Sequence, residues 1–141
     1  MRILIPVFVV ALLLAYGCDS GSDSVSDAPV DLNGDWLGVA VVTGGTAYPP
    51  NTSYPIVMAL VQSGTAVTGD YNTAAVGSPT SGTVAGTVSG RTFTFTLTED
   101  TPCGGTFNGA ATVDGASISF NGSYSGADCS GTTQAGFSAS K

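Results

Sequence analysis

The side chains that could carry out chemistry in this chain are few in kind. Its 141 residues include three cysteines and ten acidic residues but no histidine. Histidine is the commonest general base, the usual partner of serine and cysteine nucleophiles, and a frequent metal ligand. Its absence predicts a protein that is not an enzyme and that holds neither a metal ion nor a cofactor.

Three acidic residues in two later loops are the remaining candidates for chemistry. Glu99 and Asp100 are adjacent, and Asp128 follows further along the chain. A hydrolytic pair needs one acid with a raised pKa in a buried cleft, whereas neighbouring acids on a loop are usually solvated. We interpret these residues as surface acids, with a weak calcium site as the alternative. The formal net charge of −7 also argues against nucleic-acid binding, which needs a basic footprint.

The amino-terminal residues have the pattern of a cleaved export signal. Met1-Arg2 gives a positive start, and Ile3 to Ala15 is an almost unbroken apolar run. A helix of that length rises about 20 Å, less than the roughly 30 Å hydrocarbon core, so the run is typical of a signal peptide. The end of the run, Leu14 to Cys18, resembles the lipobox of bacterial lipoproteins. An ordinary secretory signal followed by an unrelated cysteine is the alternative.

The lipobox resemblance implies how the chain is divided. Residues 1–17 would be removed, and Cys18 would carry the acyl chains that anchor the protein to a membrane of the bacterial cell envelope. Asp19, directly after the cysteine, resembles an inner-membrane retention signal and so favours that membrane over the outer one. Residues 18–32 are rich in Ser and Asp and predict a flexible, disordered tether. The folded domain is then expected over 33–141.

The folded part of the sequence alternates apolar and polar residues with the period of a β-strand. Between Arg91 and Thr98, for example, Phe or Leu alternates with Thr, and Ile118 likewise falls on one face with Phe120 and Tyr124. Short turn signals, among them Asp114-Gly115 as a two-residue turn, alternate with longer loops, so an up-and-down meander would gather the tight turns at one end. The pattern predicts an all-β, eight-stranded antiparallel up-and-down barrel, with a two-sheet sandwich as the alternative. The predicted strands are 34–43, 55–63, 66–72, 82–89, 91–98, 105–113, 116–124 and 132–140.

The two cysteines in the folded part are candidates for a disulfide. Cys103 lies in the loop after the fifth predicted strand and Cys129 in the loop after the seventh, and these loops share one end of a meander. An exported protein folds where disulfides persist, and the bridge would stabilise the fold by roughly 3 kcal/mol. A thiolate metal or redox site is disfavoured because the C-x-x-C spacing is absent.

Two short motifs resemble the calycin superfamily, which includes the lipocalins and the avidins. Gly34-Asp35-Trp36 is similar to its G-x-W signature, which implies that Trp36 plugs the closed floor of the barrel. The basic residue that often stacks on that tryptophan has one candidate here, Lys141. Val67 to Gly77 resembles the third strand and following loop of avidin-type proteins, which implies ligand contacts for Tyr71 and Thr73. The other avidin contacts have no counterpart, since Trp36 is the single tryptophan, so biotin is not the expected ligand.

These observations favour a lipid-anchored envelope protein, expected to be monomeric, that binds a small apolar or amphipathic ligand in its barrel. Eight strands enclose a space that side chains fill or that holds one small ligand. The alternatives are a protein-interaction module, such as an inhibitor of a periplasmic protease or lysozyme, and a purely structural lipoprotein. The first long loop carries Tyr48-Pro49-Pro50 and Tyr54-Pro55, an aromatic, stiff rim that either contacts a partner or covers the barrel mouth. The candidate ligand-binding residues are Tyr71, Thr73, Phe93, Phe95, Phe107, Phe120 and Tyr124.

Overall fold

The structure, a computed structural model, describes residues 28–75 and 78–141. Those residues form eight strands, and each strand pairs antiparallel with the next, while the last pairs with the first to close a barrel. The closed pairing confirms the predicted fold class and excludes the sandwich. The strands are β1 (Gly34–Gly45), β2 (Ser53–Ser63), β3 (Ala66–Ala75), β4 (Ser78–Ser89), β5 (Thr92–Glu99), β6 (Thr106–Val113), β7 (Ser119–Asp128) and β8 (Gly131–Ser140).

The amino-terminal predictions fall on residues that the structure does not describe. The signal peptide over 1–17, the lipidation site Cys18, Asp19 and the tether as far as residue 27 all lie outside the described residues. Within the part of the chain that is described, no helix is long and apolar enough to cross a membrane.

Alternation within each strand builds the core of the barrel. In β5, Phe93, Phe95 and Leu97 are buried, and the threonines between them lie on the outer wall. This follows from strand geometry, in which successive side chains point to opposite faces. The deep half of the barrel is therefore packed with aromatic rings, among them Trp36 against Phe120 with ring centroids 4.5 Å apart.

The closed end of the barrel contains more of the chain than the sequence suggested. Leu32 is fully buried, its amide donates to Gln62 Oε1 at 2.8 Å, and its carbonyl accepts a hydrogen bond from Trp36 Nε1 at 2.9 Å. Val30 packs against the core and its amide donates to the Gly90 carbonyl at 3.2 Å. Val30 and Leu32, which fall in the segment predicted as a tether, thus pack against the floor of the barrel. Two apolar side chains within a polar segment are enough to hold it against the floor.

Trp36 occupies the floor position that its motif implied. Its side chain is fully buried near the start of β1, beside the segment that ends at Leu32. Lys141 Nζ lies 4.9 Å from the centroid of the Trp36 ring and donates to the carbonyls of Asp31 and Asn33. The basic residue expected on this tryptophan is thus present, supplied by the residue after β8.

Of the three connections predicted as tight turns, two are tight and one is longer. The β2–β3 and β4–β5 connections are two-residue turns that begin with Gly64 and Gly90, whose positive φ values suit tight hairpins. The Asp114-Gly115 pair does not form a two-residue turn, because the Asp114 carboxylate accepts hydrogen bonds from the Ile118 amide and the Ser119 hydroxyl. The connection to β7 is therefore longer, and Ile118, predicted to face inward on that strand, is exposed.

At the opposite end of the barrel, β7 and β8 are longer than predicted. They run to Asp128 and from Gly131, so the loop expected over residues 125–131 shrinks to two residues. β3 and β4 likewise extend into the region predicted as a loop over residues 73–81. The long connections at this end are residues 46–52 and 100–105. We call this end the mouth.

Candidate functional site

The mouth is held together by a disulfide. Cys103 in the β5–β6 connection is bonded to Cys129 in the β7–β8 turn, with their Cα atoms 5.3 Å apart. This confirms the predicted pairing. The bond joins two connections that are separated by β6 and β7, so it fixes the end of β5 relative to the end of β7.

A cavity of about 30 Å³ lies just inside the mouth. A space of that size admits about two water molecules. Its walls are mostly aromatic, and two carboxylates lie at its edge. The lining residues are Tyr48, Tyr54, Tyr71, Thr73, Thr80, Leu97, Glu99, Phe107, Tyr124, Asp128 and Thr133.

Three tyrosine hydroxyls meet at this cavity, and they differ in their partners. The hydroxyls of Tyr54 and Tyr124 are hydrogen-bonded to each other across the barrel. The hydroxyl of Tyr71 is buried, with the residue only 2% exposed, and has no hydrogen-bond partner among the described residues. Buried polar groups in proteins are nearly always paired, so this hydroxyl stands out as a group that can bond to something entering the cavity.

The position of Tyr71 depends on the strand beside it. Gly82 on β4 is the direct cross-strand neighbour of Tyr71, and a Cβ atom there would lie 2.8 Å from Tyr71 Cε1. Glycine therefore leaves room for the phenol ring. Thr73, two residues further along β3, shares a hydroxyl–hydroxyl hydrogen bond of 2.7 Å with Thr80 on β4. These neighbouring pairs form one wall of the cavity.

Glu99 at the end of β5 is the charged group most affected by the cavity. The residue is half-buried, and its carboxylate accepts a hydrogen bond of 3.3 Å from the Gly105 amide. Burial, and secondarily the negative charge of Asp128, raises the pKa of Glu99 above its ordinary value. Burial likewise raises the pKa of both Tyr71 and Tyr124, so these phenols stay neutral.

The acids were interpreted from the sequence as solvated surface groups, and for Glu99 and Asp128 this is wrong. Both are half-buried and line the cavity, because β5 and β7 extend further toward the mouth than predicted. Asp100 is exposed, in keeping with the prediction. Residues 28–75 and 78–141 contain no group of three or more Cys, Asp or Glu residues placed to hold a metal ion.

The predicted ligand-binding residues divide into two groups by depth. Tyr71, Thr73, Phe107 and Tyr124 line the cavity at the mouth. The others are packed against one another or against Trp36 in the filled deep half and do not line it. These deeper residues are Phe93, Phe95 and Phe120.

Seven lining residues were not predicted to contact a ligand in the interior: the acids Glu99 and Asp128, and in addition Tyr48, Tyr54, Thr80, Leu97 and Thr133. Tyr48 and Tyr54 were assigned to a rim, and Tyr48 does reach back over the cavity, its ring 6.4 Å from that of Tyr54. Thr133 could have been found by alternation, because it precedes the buried Ala135 and Phe137 on β8. Thr80 lies in a segment predicted as a loop, where no alternation pointed to an inward-facing side chain.

The outer wall of β1 and β2 carries a second unusual feature. Five large apolar side chains there are between 38% and 64% exposed, although strands of this kind usually place polar residues outward. Leu37 and Val57 are direct cross-strand neighbours within this set. We call the set the apolar strip; its members are Leu37, Val39, Val41, Val57 and Val61.

No protein-family model and no curated protein matches the sequence of this chain. The fold does match a solved structure, that of EF1p2_mFAP2b bound to DFHBI. The two superimpose with a TM-score of 0.63 over 78% of this chain and 94% of the other, at 13% sequence identity. At that identity the likeness establishes the shared barrel architecture and nothing about the side chains of the site.

Proposed function

We propose that this protein is a monomeric, lipid-anchored protein of the bacterial cell envelope whose barrel binds a small amphipathic ligand at its mouth, without catalysis. The observation that carries the binding proposal is the Tyr71 hydroxyl, which is buried at the cavity and has no hydrogen-bond partner among the described residues. The anchor rests on the lipobox resemblance that ends at Cys18.

The walls of the cavity fit a ligand with both apolar and polar parts. Tyrosine and phenylalanine rings supply apolar contact area, and Tyr71, Glu99 and Asp128 supply polar atoms at fixed places. Small-molecule sites in proteins commonly combine an apolar lining with a few convergent polar groups. A barrel of the same architecture has been solved bound to DFHBI, which supports ligand binding as a use of this fold.

The small volume of the cavity restricts where the ligand lies. About 30 Å³ holds a terminal group of the ligand but not its body. We infer that the body occupies the space now covered by Tyr48, which is carried on the 46–52 connection rather than on a strand. The deep half of the barrel is filled and stays so.

Native mass spectrometry of the protein purified from its own host tests the binding proposal. We expect a small molecule bound one to one. Thr73→Val, which removes a cavity hydroxyl at nearly constant volume, should reduce its occupancy, whereas Thr94→Val on the outer wall should not. A ligand-free spectrum at every charge state, or equal occupancy in both variants, would contradict a site at the mouth.

The apolar strip favours a second candidate, the protein-interaction module. Exposed apolar patches on soluble proteins often mark contacts with other proteins. Cross-linking through a cysteine introduced at Val39, with Thr94→Cys as the control on the opposite wall, would test it in intact cells. A specific adduct from the first position alone would favour this candidate over ligand binding.

A further inference from the structure

The structure carries one inference about the chemistry of the ligand, and it rests on the proposed binding function. We propose that the mouth recognises a small organic ammonium ion, with its charged nitrogen beside Glu99 and Asp128 and its alkyl part among the tyrosine rings. Four features of the mouth support this class of ligand.

The first feature is the aromatic wall. Tyrosine and phenylalanine rings surround the cavity on several sides, and the faces of such rings attract cations. An ammonium group enclosed by several rings gains from each of them, and its alkyl substituents are buried at the same time. The rings that line the cavity are those of Tyr48, Tyr54, Tyr71, Phe107 and Tyr124.

The second feature is the placement of the carboxylates. Glu99 ends β5 and Asp128 ends β7, so the two acids approach the cavity from different strands. The Cys103–Cys129 disulfide ties the connections that follow these strands and so fixes the two acids relative to each other. With both acids ionised, each raises the energy of the other, and a cation between them relieves this repulsion.

The third feature is the absence of a compensating base at the mouth. Arg91 and Lys141 are the basic residues of the described chain, and both lie at the closed end. Arg91 Nε donates to the Val113 carbonyl, and Lys141 Nζ donates to carbonyls beside Trp36. No described basic side chain at the mouth can therefore neutralise the two acids, and an anionic ligand would be repelled.

The fourth feature is the Tyr71 hydroxyl. Tyr71 lines the cavity and is only 2% exposed, and its hydroxyl has no hydrogen-bond partner among the described residues. The hydroxyl oxygen can accept a hydrogen bond from an N–H group. An alkylammonium ion offers three such donors, which matches Tyr71 and the two carboxylates. A divalent metal ion would need more oxygen ligands than the two acids supply, so the structure favours an organic cation.

A matched ligand series tests the inference with the full chain. We would titrate butylammonium, 1-butanol and butyrate, which share an alkyl chain and differ in the charge of the head group, and follow amide and tyrosine ring signals by NMR. We expect butylammonium to shift the signals of Tyr71, Glu99 and Tyr124 and to bind at least about tenfold more tightly than 1-butanol, with affinity falling as salt is added. Butyrate should not bind.

Charge-removing variants locate the site. Glu99→Gln and Asp128→Asn should each weaken butylammonium binding by about fivefold or more, since each removes a full charge at short range. Asp35→Asn makes the same change in net charge at the exposed closed end and should leave binding unaltered. Melting curves of all three variants establish that each is folded.

The outcomes separate this inference from the function on which it rests. Equal or tighter mouth binding of 1-butanol or butyrate would overturn the choice of an ammonium ligand and leave small-molecule binding intact. Failure of butylammonium to bind at millimolar concentration would also overturn the choice of ligand. A ligand-free native mass spectrum of the host-purified protein would instead overturn the binding function itself.

Discussion

At the scale of single residues, three of the four tyrosines that line the cavity show how the same hydroxyl group differs in its hydrogen bonding from one position to another. The hydroxyls of Tyr54 and Tyr124 satisfy each other, whereas that of Tyr71 is buried without a described partner. Leaving a buried polar group unpaired costs about 1 to 3 kcal/mol. The protein thus retains at Tyr71 a group that adds little to its stability, as expected when the group serves a ligand.

Deleting these hydroxyls one at a time should produce opposite effects on stability. Tyr71→Phe should leave the free energy of unfolding unchanged or raise it by about 1 kcal/mol, because it removes an unpaired polar atom. Tyr124→Phe leaves the Tyr54 hydroxyl without its hydrogen-bond partner and should lower the free energy of unfolding by about 1 to 3 kcal/mol. Urea unfolding measures both, and the Tyr54→Phe/Tyr124→Phe double variant should regain much of the loss. A marked destabilisation by Tyr71→Phe would mean that its hydroxyl already has a partner.

Glu99 should give the protein a measurable pH dependence. Its pKa in the folded protein lies above the ordinary value of 4.5, chiefly through burial and then through Asp128. As pH rises, the unfolded chain therefore loses this proton first, and the free energy of unfolding falls from about pH 4.5 up to the folded pKa. Below that interval Glu99 is protonated in both states and does not change the free energy of unfolding with pH. Above the interval it is ionised in both states, and its destabilising effect is constant.

The variant Glu99→Gln isolates this contribution. The difference between the unfolding free energies of variant and wild type should grow through the interval above pH 4.5 in favour of the variant, and then level off. Hydrogen bonds from Asn33 and Ile118 lower the pKa values of Asp31 and Asp114, so these two acids make the free energy of unfolding rise with pH. Their effect is the same in variant and wild type and cancels in the difference. A difference that does not change with pH would show that Glu99 is solvated.

At the scale of strands and connections, the disulfide is the feature with the largest expected effect. The bond closes a segment with a sequence separation of 26 residues, for which loop closure predicts a stabilisation of roughly 3 to 4 kcal/mol. Cys103→Ser with Cys129→Ser should lower the free energy of unfolding by about this amount in urea. Because the bond also fixes Glu99 and Asp128 relative to each other, the same variant should bind butylammonium more weakly at temperatures where it is folded.

Glycine on β4 gives a second test at this scale. A Cβ atom at Gly82 would collide with the Thr98 carbonyl and with the Tyr71 ring, and strand backbone cannot move far to relieve it. Gly82→Ala should cost about 1 to 3 kcal/mol, as overpacking does elsewhere. Gly115→Ala, with no atom within 4 Å of its added Cβ, should stay within about 0.5 kcal/mol of wild type. Thermal unfolding of the pair compares them directly, and equal melting temperatures would contradict the expected crowding.

The strands could be predicted from the sequence better than the site, for a physical reason. Alternation such as Phe93-Thr94-Phe95 is a local signal that strand geometry turns directly into an inner and an outer face. Whether an inward aromatic residue fills the barrel or lines a cavity depends on its depth, which is set by register across strands. Phe95 and Phe107 look alike in sequence, yet only Phe107 reaches the mouth.

Turn chemistry limited the prediction in another way. Asp114-Gly115 was predicted to form a two-residue turn from its dipeptide alone, but the Asp114 side chain bonds to residues four and five positions later. Likewise the polar composition around Asp31 hid two apolar residues that hold the segment on the floor. In the first case short-range side-chain hydrogen bonds overrode the preference of the dipeptide, and in the second case contacts distant in sequence overrode the polar composition.

At the scale of the whole molecule, the two ends of the barrel differ in charge and in role. The closed end carries Trp36 and the two basic side chains of the described residues, and the mouth carries the cavity and two half-buried acids. The segment that comes from the amino terminus enters at the closed end. With an anchor at Cys18, the floor would face the membrane and the mouth would point away from it.

Cys18→Ser tests the anchor. The variant should lose incorporation of radiolabelled palmitate and shift from the membrane fraction to the soluble fraction of the cell envelope, because the thiol that accepts the lipid is gone. Cys103→Ser, which leaves the lipobox intact, serves as the control and should stay with the membrane. Membrane association of Cys18→Ser equal to that of wild type would contradict the proposed lipid anchor.

The segment from Val30 to Leu32 also determines how the molecule bears force. Any pull transmitted through the chain before residue 28 reaches this segment first, where the hydrogen bonds donated by the Val30 and Leu32 amides and the buried Leu32 side chain resist it. Only after the segment is released would the load reach β1, whose bonds to β2 and β8 would then be sheared together. Under tension, the Val30 to Leu32 segment would thus detach from the floor before the strands of the barrel and the mouth are disturbed.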